Sequence, residues 1–342
     1  MKVKEFEYKL PPELIAQEPL EERDSSRLLI LKRREKTIQE VVFKDIVNFF
    51  NKGDVLVLNN TKVFPARLFA KRRTAAKIEI LLLRELFQGR WQVLIKPAKR
   101  IKPPEELFFK DDNFKVRVLE KDVQGRWIVE FSPPDVKKLI SKEGLIPTPP
   151  YIKKELTQPQ RYQTVFAKEE GSVAAPTAGF HFTPQLLSRI SSLGVRIVYL
   201  SLHIGLATFR PIKVEEVENH KMDEEYVEIP SQTAQIINLA KREKKRVFAC
   251  GTSTTRALES QAFFQEGLAQ VKVFAGFTNL YIYPGFKFKL IDCLITNFHL
   301  PKSTNLLLVS AFSGRDFLFK AYQYAVENRF RFYSFGDAML IL

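Results

Sequence analysis

The sequence Thr183-Pro-Gln-Leu-Leu-Ser-Arg-Ile-Ser-Ser-Leu-Gly-Val-Arg-Ile-Val-Tyr-Leu-Ser-Leu-His-Ile-Gly205 contains a helix signal followed directly by a strand signal. Its opening Thr-Pro pair is typical of a helix start and Gly194 of a helix stop, which predicts a helix over residues 184–193. The β-branched, apolar run that follows predicts a strand over 195–204. Because this strand ends at His203 and a glycine, it also predicts a ligand loop.

The same helix-then-strand order recurs along the chain. A helix predicted over 231–243 precedes an apolar strand at 246–250, and a further helix starts near Thr255. Closer to the N-terminus, a helix predicted from residue 44 to Gly53 precedes a buried strand at 55–58. Repeated units of this kind predict an α/β domain with a largely parallel sheet, whose ligand loops lie at the carboxyl ends of the strands.

Between residues 63 and 133 the helical periodicity disappears and short alternating strands replace it. Alternate apolar residues, as in Trp127-Ile-Val-Glu-Phe131, share one strand face. Five or six antiparallel strands of this kind predict a small β-barrel, which closes its own edges. A short helix and a proline-rich exit are predicted over 134–151. Gln-Gly-Arg-Trp occurs at 88–91 and 124–127, where we expect two similar turns whose glycines have positive φ.

Length and composition indicate a two-domain, basic, globular protein. The chain has 342 residues, of which 45% are hydrophobic and 27% charged, and a net charge of +15. Such an excess of positive charge favours a polyanionic partner, although a merely soluble basic protein is the alternative. Cys250 and Cys293 lie in apolar runs without metal spacing, and we expect buried thiols in a reducing cytoplasm. No signal peptide or membrane span is predicted.

Basic residues are dense in the barrel segment, at 71–73 and 96–102. A solvated charged face explains each cluster alone, whereas two clusters in one small domain favour an RNA-facing surface. The predicted RNA-binding residues are Lys62, Arg67, Lys71, Arg72, Arg73, Lys96, Lys99, Arg100 and Lys102.

Four loops carry the candidate chemistry, and three of the four histidines lie in them. The loops span 171–183, 201–208, 251–256 and 296–304, and they contain His181, His203 and His299. A structural histidine is the alternative for each one, but recurrence at strand ends favours function. The fourth, His220, lies in a charged run typical of a solvated surface.

The hydroxyl-rich turn Gly251-Thr-Ser-Thr-Thr-Arg256 lacks the ending of a phosphate-binding P-loop, and no dinucleotide fingerprint follows a strand. A helix that begins in this turn would still offer N–H donors and a favourable dipole to an anion, with Arg256 as a charge partner. An ordinary helix cap explains the turn equally well.

Motifs along almost the whole chain resemble the S-adenosylmethionine:tRNA ribosyltransferase-isomerases of queuosine biosynthesis. Besides the four loops, they are Leu10-Pro-Pro-Glu-Leu-Ile-Ala-Gln17, Arg23-Asp-Ser-Ser-Arg-Leu28, Gly53-Asp-Val-Leu-Val-Leu-Asn-Asn-Thr-Lys-Val63, Lys96-Pro-Ala-Lys-Arg100, Pro149-Pro-Tyr-Ile152, Arg161-Tyr-Gln-Thr-Val165, Tyr283-Pro-Gly285 and Arg331-Phe-Tyr-Ser-Phe-Gly-Asp-Ala-Met339. The chain departs from the family pattern at Ala207, at Asp223 and in the absence of an acidic residue within 157–161. The change at Asp223 argues against a catalytic histidine there.

The resemblance implies an α/β domain formed by residues 1–62 and 152–342, with a β-barrel domain inserted over 63–151. It also implies transfer and isomerisation of the ribosyl group of S-adenosylmethionine onto 7-aminomethyl-7-deazaguanine at the wobble position of a tRNA. Adenine and methionine leave, and epoxyqueuosine-tRNA forms. We expect S-adenosylmethionine as a co-substrate, no permanently bound cofactor, no metal, no membrane partner and a monomer.

Proton transfer in this reaction suits imidazoles, so His181, His203 and His299 are the catalytic candidates. The sequence does not divide the acid and base roles among them, and Asp24 or Asp292 is a candidate to orient one of the rings. Facing aromatic rings would hold the sulfonium by cation–π attraction. The candidates for binding S-adenosylmethionine are Pro176, Thr177, Gly179, Phe182, Gly205, Thr252, Ser253, Thr254, Arg256 and Asn297.

Two other functions fit parts of the sequence. An S-adenosylmethionine-dependent RNA methyltransferase fits the charge and the α/β pattern, but the chain has no glycine-rich motif after a first strand. A non-catalytic RNA-binding protein fits the barrel alone, and the three histidine loops argue against it.

Overall fold

Strand β3 (Val55–Asn59) lies at the centre of the larger sheet, and all five of its residues are buried in this computed structural model. The structure describes residues 1–99, 101–123, 125–154, 156–205 and 212–342. On one side β3 pairs in parallel with β12 (Arg196–Leu202), and on the other with β14 (Val247–Cys250). β14 in turn pairs in parallel with β18 (Cys293–Asn297). Apolar side chains on both faces of these four strands require a cover on both sides.

Antiparallel pairs extend this parallel centre, so the nine-stranded sheet is mixed. The flanking strands are β1 (Arg27–Lys32), β2 (Thr37–Val42), β13 (Glu225–Ile229), β17 (Phe274–Thr278) and β19 (Ala338–Ile341). The strand order is β17-β13-β12-β3-β14-β18-β19-β1-β2, in which only β19 and β1 form a further parallel pair. The predicted α/β class with a largely parallel sheet is confirmed for the centre, and the antiparallel edges were not predicted.

The helices of the unit that contains this sheet are α2 (Pro184–Ser192), α3 (Ser231–Arg242), α4 (Thr252–Ser260), α5 (Thr304–Ser313) and α6 (Arg315–Glu327). Three of the helices, α2, α3 and α4, lie close to where the sequence predicts them. In α2 the Thr183 hydroxyl accepts a hydrogen bond from the amide of Leu186 at 3.1 Å, as its position before a proline predicts.

The helix predicted from residue 44 to Gly53 is wrong in type. The structure has a 3₁₀ helix over Phe43–Phe49, with Phe43, Ile46 and Val47 buried. Apolar residues three apart match the three-residue turn of a 3₁₀ helix, and its β-branched and aromatic residues favour an α-helix weakly. These side chains pack against Leu56, Phe248 and the apolar face of α2 in one core cluster.

The smaller unit comprises Val63–Thr148 with Glu170–Ala174, and the larger unit comprises the remaining ranges, Met1–Lys62, Pro149–Glu169 and Ala175–Leu342. Six antiparallel strands of the smaller unit form a closed barrel, which confirms the predicted barrel. The strands are β5 (Arg67–Lys71), β6 (Lys77–Phe87), β7 (Arg90–Lys96), β8 (Glu105–Phe108), β9 (Lys115–Lys121) and β10 (Trp127–Ser132), followed by α1 (Val136–Glu143). Gly89 and Gly125 have φ of 76° and 84°, as predicted for the two turns.

The remaining elements are short. They are β4 (Thr61–Val63), β11 (Glu169–Ser172), β15 (Ala262–Gln265), β16 (Leu268–Val271) and the 3₁₀ helices Val3–Phe6, Pro12–Leu14, Arg23–Ser25, Pro159–Tyr162, Thr177–His181 and Val217–Asn219. Cys250 and Cys293 are both buried and free, as predicted. Across the described ranges, no helix has the length and apolar character to cross a membrane. Predictions that concern Arg100, Gln124 and Ala207 lie outside the described residues.

Candidate active site

A cleft of about 740 Å³, counted out to its open mouth, lies at the carboxyl ends of the central strands. This is the edge where the sequence predicts the ligand loops. Its walls come from residues 175–178, from the start of α4, from the segment 296–300 after β18, and from Tyr151, Tyr333 and Ser334. Of the predicted site residues, Pro176, Thr177, Thr252, Ser253, Arg256, Asn297 and His299 line this cleft.

The side chain of Asn59, at the end of β3, joins the neighbouring strand ends. Its Oδ1 accepts hydrogen bonds from the amides of Thr61 and Leu202 at 3.1 and 3.0 Å. Its Nδ2 donates to Leu202 O at 3.0 Å and to Ser253 Oγ at 3.2 Å. Sequence reasoning did not select Asn59 as a site residue, although a polar residue that directly follows an apolar strand is a signal for it.

The first turn of α4 faces the cleft without a side-chain cap. The hydroxyls of Thr254 and Thr255 donate backwards to Cys250 O and Gly251 O, at 2.6 and 3.1 Å. Gly251 precedes the helix with φ of 92°, a conformation that favours glycine. The start of α4 therefore has no side-chain cap, and its first amides can donate to an anion.

Arg256 does not present a free charge to the cleft. Its Nη1 forms a salt bridge with Glu225, and both side chains are buried, with relative exposures of 6% and 4%. Nε donates to Leu280 O at 2.9 Å, whereas the buried Nη2 has no hydrogen-bond partner among the described residues. Glu225 largely neutralises the guanidinium and leaves one nitrogen available to a ligand. Glu225 and Arg256 are 31 residues apart in the chain, so no local sequence pattern predicts this pair.

His299 is the one candidate histidine that lines the cleft in the described part of the chain. Its Nε2 lies 2.7 Å from Thr296 Oγ1, and its amide donates to the hydroxyl of Tyr322 at 2.8 Å. Burial lowers the pKa of the ring to about 3, so the imidazole is neutral at pH 7.

His181 lies behind the cleft wall and not on it. Asn297 Nδ2 donates to its Nε2 at 3.1 Å, so the ring proton is on Nδ1 and is donated to Ser26 Oγ at 2.7 Å. Asn297 Oδ1 accepts from the hydroxyl of Thr177 at 3.0 Å, which links the buried ring to the cleft surface. Burial, with Arg23 and Arg331 nearby, lowers the pKa of His181 to about 3.

His203 is half-buried and lies outside the cleft lining. Its Nδ1 is 2.8 Å from Thr61 Oγ1, and its ring stacks on Tyr226 with 5.5 Å between centroids. Burial lowers its pKa, and Glu169 partly opposes that shift. The structure thus brings His299 to the cleft and connects His181 to it through Asn297, but it does not bring His203 there.

The carboxylates expected to orient a histidine have other partners. Asp24 Oδ2 accepts from the hydroxyl of Thr183 at 3.1 Å. Asp292 binds Lys241 Nζ at 3.0 Å and the amide of Val247 at 2.8 Å. Hydroxyl groups of serine and threonine orient the three rings instead.

Four of the predicted ligand residues do not line the cleft. Phe182 is fully buried and packs edge-on against Phe43 at 5.1 Å, as part of the core. A Cβ at Gly179 would lie 2.7 Å from the ring of Phe166, so this glycine serves packing. Thr254 is fully buried, and the amide of Gly205 donates to Glu225 Oε1 at 3.0 Å.

The phenylalanines of the ligand loops are core residues, since Phe180, Phe182 and Phe298 are all buried. Phe298 is fully buried and packs against Tyr322, Phe330 and Phe332. The rings of Tyr151 and Tyr333 also line the cleft, with centroids 4.7 Å apart. Tyr333 has φ of 70°, a left-handed conformation that is unusual for an aromatic residue and common at binding sites.

The predicted RNA-binding residues of the barrel fall into two groups. Arg67 pairs with Glu79 at 3.2 Å, Arg72 with Glu105 at 2.5 Å, and Arg73 with Glu106 at 3.5 Å. Four lysines are exposed and form no ion pair with a described residue, namely Lys71, Lys96, Lys99 and Lys102. Lys62 is half-buried.

Strand pairing places part of this charge at one end of the barrel. Lys71 is opposite Lys77, and Lys96 is opposite Glu79, so the ends of β5 and β7 flank the start of β6. The exposed lysines, and not Arg67 or Arg72, are therefore the groups available to a polyanion.

The whole chain is similar to proteins of one family. Residues 3–341 match the family model described as a queuosine biosynthesis protein. The chain is 50% identical to the S-adenosylmethionine:tRNA ribosyltransferase-isomerase of Thermotoga maritima over 342 residues, covering 100% of both chains. The same identity over 344 residues, again with 100% of both chains covered, relates it to the enzyme of that name from Halothermothrix orenii.

A solved structure is also similar. The crystal structure of S-adenosylmethionine tRNA ribosyltransferase from Thermotoga maritima matches with a TM-score of 0.57 and 38% sequence identity. The match covers 99% of this chain and 100% of that one.

The lowered pKa of His181 predicts a pH-dependent loss of stability. Between pH 6.5 and about 3 the unfolded chain binds a proton that the folded His181 does not, so the free energy of unfolding falls as pH decreases through this window. Between pH 7 and pH 5, His181 should lower the free energy of unfolding by about 2 kcal/mol. His181→Gln should lose correspondingly less stability over that interval in urea unfolding. His220→Gln, at a half-buried ring, should change the dependence less, and an identical dependence in wild type and His181→Gln would contradict the assignment.

Proposed function

We infer, because the chain belongs to the queuosine biosynthesis protein family, that it is an S-adenosylmethionine:tRNA ribosyltransferase-isomerase like the relatives it matches over their full length. The proposed acceptor is 7-aminomethyl-7-deazaguanine at the tRNA wobble position. The proposed products are epoxyqueuosine-tRNA, adenine and methionine. The observation that carries the assignment to the cleft is the uncapped start of α4 beside the unpartnered Nη2 of Arg256 and the neutral ring of His299.

The methionine end of S-adenosylmethionine is proposed to bind at the start of α4. Its α-carboxylate is an anion, and first-turn amides with the helix dipole stabilise anions. Arg256 Nη2 supplies a charge-assisted hydrogen bond, while Glu225 holds the guanidinium in place from the other side.

The sulfonium and the ribose are proposed to lie between the small-residue wall and the tyrosines. Residues Ala175-Pro-Thr-Ala178 carry short side chains and so permit close approach of a ribose. The faces of Tyr151 and Tyr333 attract a cation through the ring quadrupole.

His299 is proposed as the base that removes the proton next to the sulfonium. Its ring is neutral and faces the cleft, and Thr296 orients it through Nε2. The reaction needs no metal for this step, because the sulfonium acidifies the neighbouring carbon and is a good leaving group. His181 acts through Asn297 as a positioning residue. Because the pKa of each of the three histidines is lowered, none of them is assigned as the imidazolium acid for adenine departure.

An RNA methyltransferase would use the same co-substrate and give different products. Purified protein should be incubated with S-adenosylmethionine and an anticodon stem-loop that carries the deazaguanine, and the products analysed by mass spectrometry. We expect free adenine and methionine, whereas S-adenosylhomocysteine would overturn the proposal.

His299→Ala should lower turnover by at least tenfold, since proton transfer contributes on the order of 10²-fold or more. His220→Ala should stay within about threefold.

Arg256→Lys should weaken S-adenosylmethionine binding about tenfold, equivalent to about 1.4 kcal/mol. Lysine keeps a positive charge beside buried Glu225 and removes the second guanidinium nitrogen, whereas alanine would leave the carboxylate unpaired and destabilise the fold. Isothermal titration calorimetry measures the effect. Arg246→Lys is the matched control, because Arg246 also pairs with a buried carboxylate, Asp54, and does not line the cleft. If Arg256→Lys left S-adenosylmethionine affinity unchanged and impaired tRNA binding, Arg256 would be assigned to the tRNA site instead.

The barrel is proposed to contact the tRNA backbone through its exposed lysines. Replacing Lys71, Lys96, Lys99 and Lys102 by alanine should weaken stem-loop binding and reduce the slope of log affinity against log salt by up to about three. S-adenosylmethionine affinity should not change. The control replaces four exposed lysines of the larger unit, namely Lys4, Lys9, Lys272 and Lys287. An equal loss of stem-loop affinity in both quadruple variants would show that binding depends only on net charge. The barrel surface would then not be the tRNA contact.

A further inference from the structure

A second, smaller cavity of about 300 Å³, counted with its opening, lies on the other side of His181. Arg23, Arg161 and Ser26 line it together with the rings of Phe180 and Phe335. Ser334 lines both this cavity and the main cleft. His181 lines the smaller cavity and is also linked to the main cleft, because Asn297 of the cleft wall donates a hydrogen bond to its Nε2. The two cavities are therefore neighbours in the larger unit.

Two arginines of this cavity have no carboxylate partner within 4 Å in the ranges that the structure describes. Arg23 donates to Phe180 O at 3.2 Å, and Arg161 donates to the main-chain oxygens of Leu20 and Glu21. Nε of Arg161 is buried and has no hydrogen-bond partner. Main-chain oxygens orient these guanidinium groups without neutralising them. Arg256 and Arg246, in contrast, each pair with a buried carboxylate.

The surroundings add positive charge to the cavity. Burial and the nearby Arg161 lower the pKa of Arg23, as expected when two cations lie close together. Arg331, whose charge also acts on His181, donates to Glu18 O, and its Nη1 has no partner among the described residues. The charges of Asp337 and Glu18 partly offset that of Arg331, whereas Arg23 and Arg161 form no ion pair with a described carboxylate.

We propose that the Arg23–Arg161 cavity binds a backbone phosphate of the substrate RNA next to the nucleotide that enters the main cleft. Guanidinium groups bind phosphate through paired N–H donors, and such contacts fix the register of a nucleic acid. A nucleotide whose base enters the cleft brings its flanking phosphates to the adjacent surface, where this cavity lies. The carboxylate of S-adenosylmethionine has its own donors at α4. This inference rests on the proposed function, and it extends RNA contact from the barrel to the larger unit.

The test measures binding of the anticodon stem-loop to the full chain over a range of salt concentrations. Arg23→Gln should weaken binding roughly tenfold or more and reduce the salt slope by about 0.7 to 0.9, the value for one phosphate contact. Arg23→Lys keeps the charge and should retain most of the slope. S-adenosylmethionine affinity should be unchanged in both variants, which a general structural defect would not allow. Arg34→Gln, at an exposed arginine outside both cavities, is the matched control.

A second arm replaces the phosphate instead of the protein, so it does not depend on folding of a variant. Stem-loops with a single neutral methylphosphonate, placed on either side of the deazaguanine, should lose affinity for the wild type at one of the two positions. At that position Arg23→Gln should cause no further loss, because both changes remove the same contact. Additive losses at both positions, or an unchanged salt slope in Arg23→Gln, would overturn the proposal.

Inorganic phosphate serves as a separate probe. If it raises the melting temperature of the wild type and not of Arg23→Gln while stem-loop binding is equal in the two proteins, the site binds free phosphate and the RNA assignment is wrong. All of these readouts are binding measurements. A failure to form adenine and methionine would refute the proposed reaction and leave the phosphate site to be judged on its own data.

Discussion

The geometry of the main cleft depends on how the polar ends of the buried strands are satisfied. β3, β12, β14 and β18 run in parallel, so their carboxyl ends reach one edge of the sheet. Asn59 is 1% exposed at this edge and makes four hydrogen bonds, to two neighbouring segments and to Ser253. Without them, several buried amide groups would lack partners, each at a cost of about 1–3 kcal/mol. The same bonds hold the start of α4 beside β3 and β12, where it meets the cleft.

Four arginines of the larger unit, which are buried or partly buried, have two kinds of partner. Carboxylates compensate Arg246 and Arg256, and a pair of this kind positions a side chain more than it stabilises the fold. Carbonyl oxygens alone hold Arg23 and Arg161, which leaves their charge uncompensated. The first arrangement suits a site that needs one directed donor, and the second suits a site that needs net positive charge. The two cavities are thus suited to different parts of a pair of substrates.

Burial determines what the histidines contribute. His181 and His299 both have a pKa of about 3, so their rings are neutral hydrogen-bonding groups at pH 7. Hydroxyl groups orient them, and a hydroxyl, unlike a carboxylate, does not stabilise the charged imidazolium. A neutral ring beside a bound sulfonium also avoids repulsion between two cations. This environment suits a positioning role for His181, and it makes the imidazolium costly at His299, the base proposed above.

Local sequence signals predicted many of the helices and strands, and the motifs along the chain predicted the family. Thr183-Pro and Gly194 predicted α2 almost to the residue, and the alternating apolar residues predicted the barrel, because caps and periodicity act over a few neighbouring positions. The tertiary structure decided which residues of the ligand loops reach the cleft. Phe182 and Gly179 belong to the core, His203 is held by Thr61, and Arg256 is paired with Glu225. These contacts join residues far apart in the chain, and the local sequence carries no signal for a partner that only folding brings near.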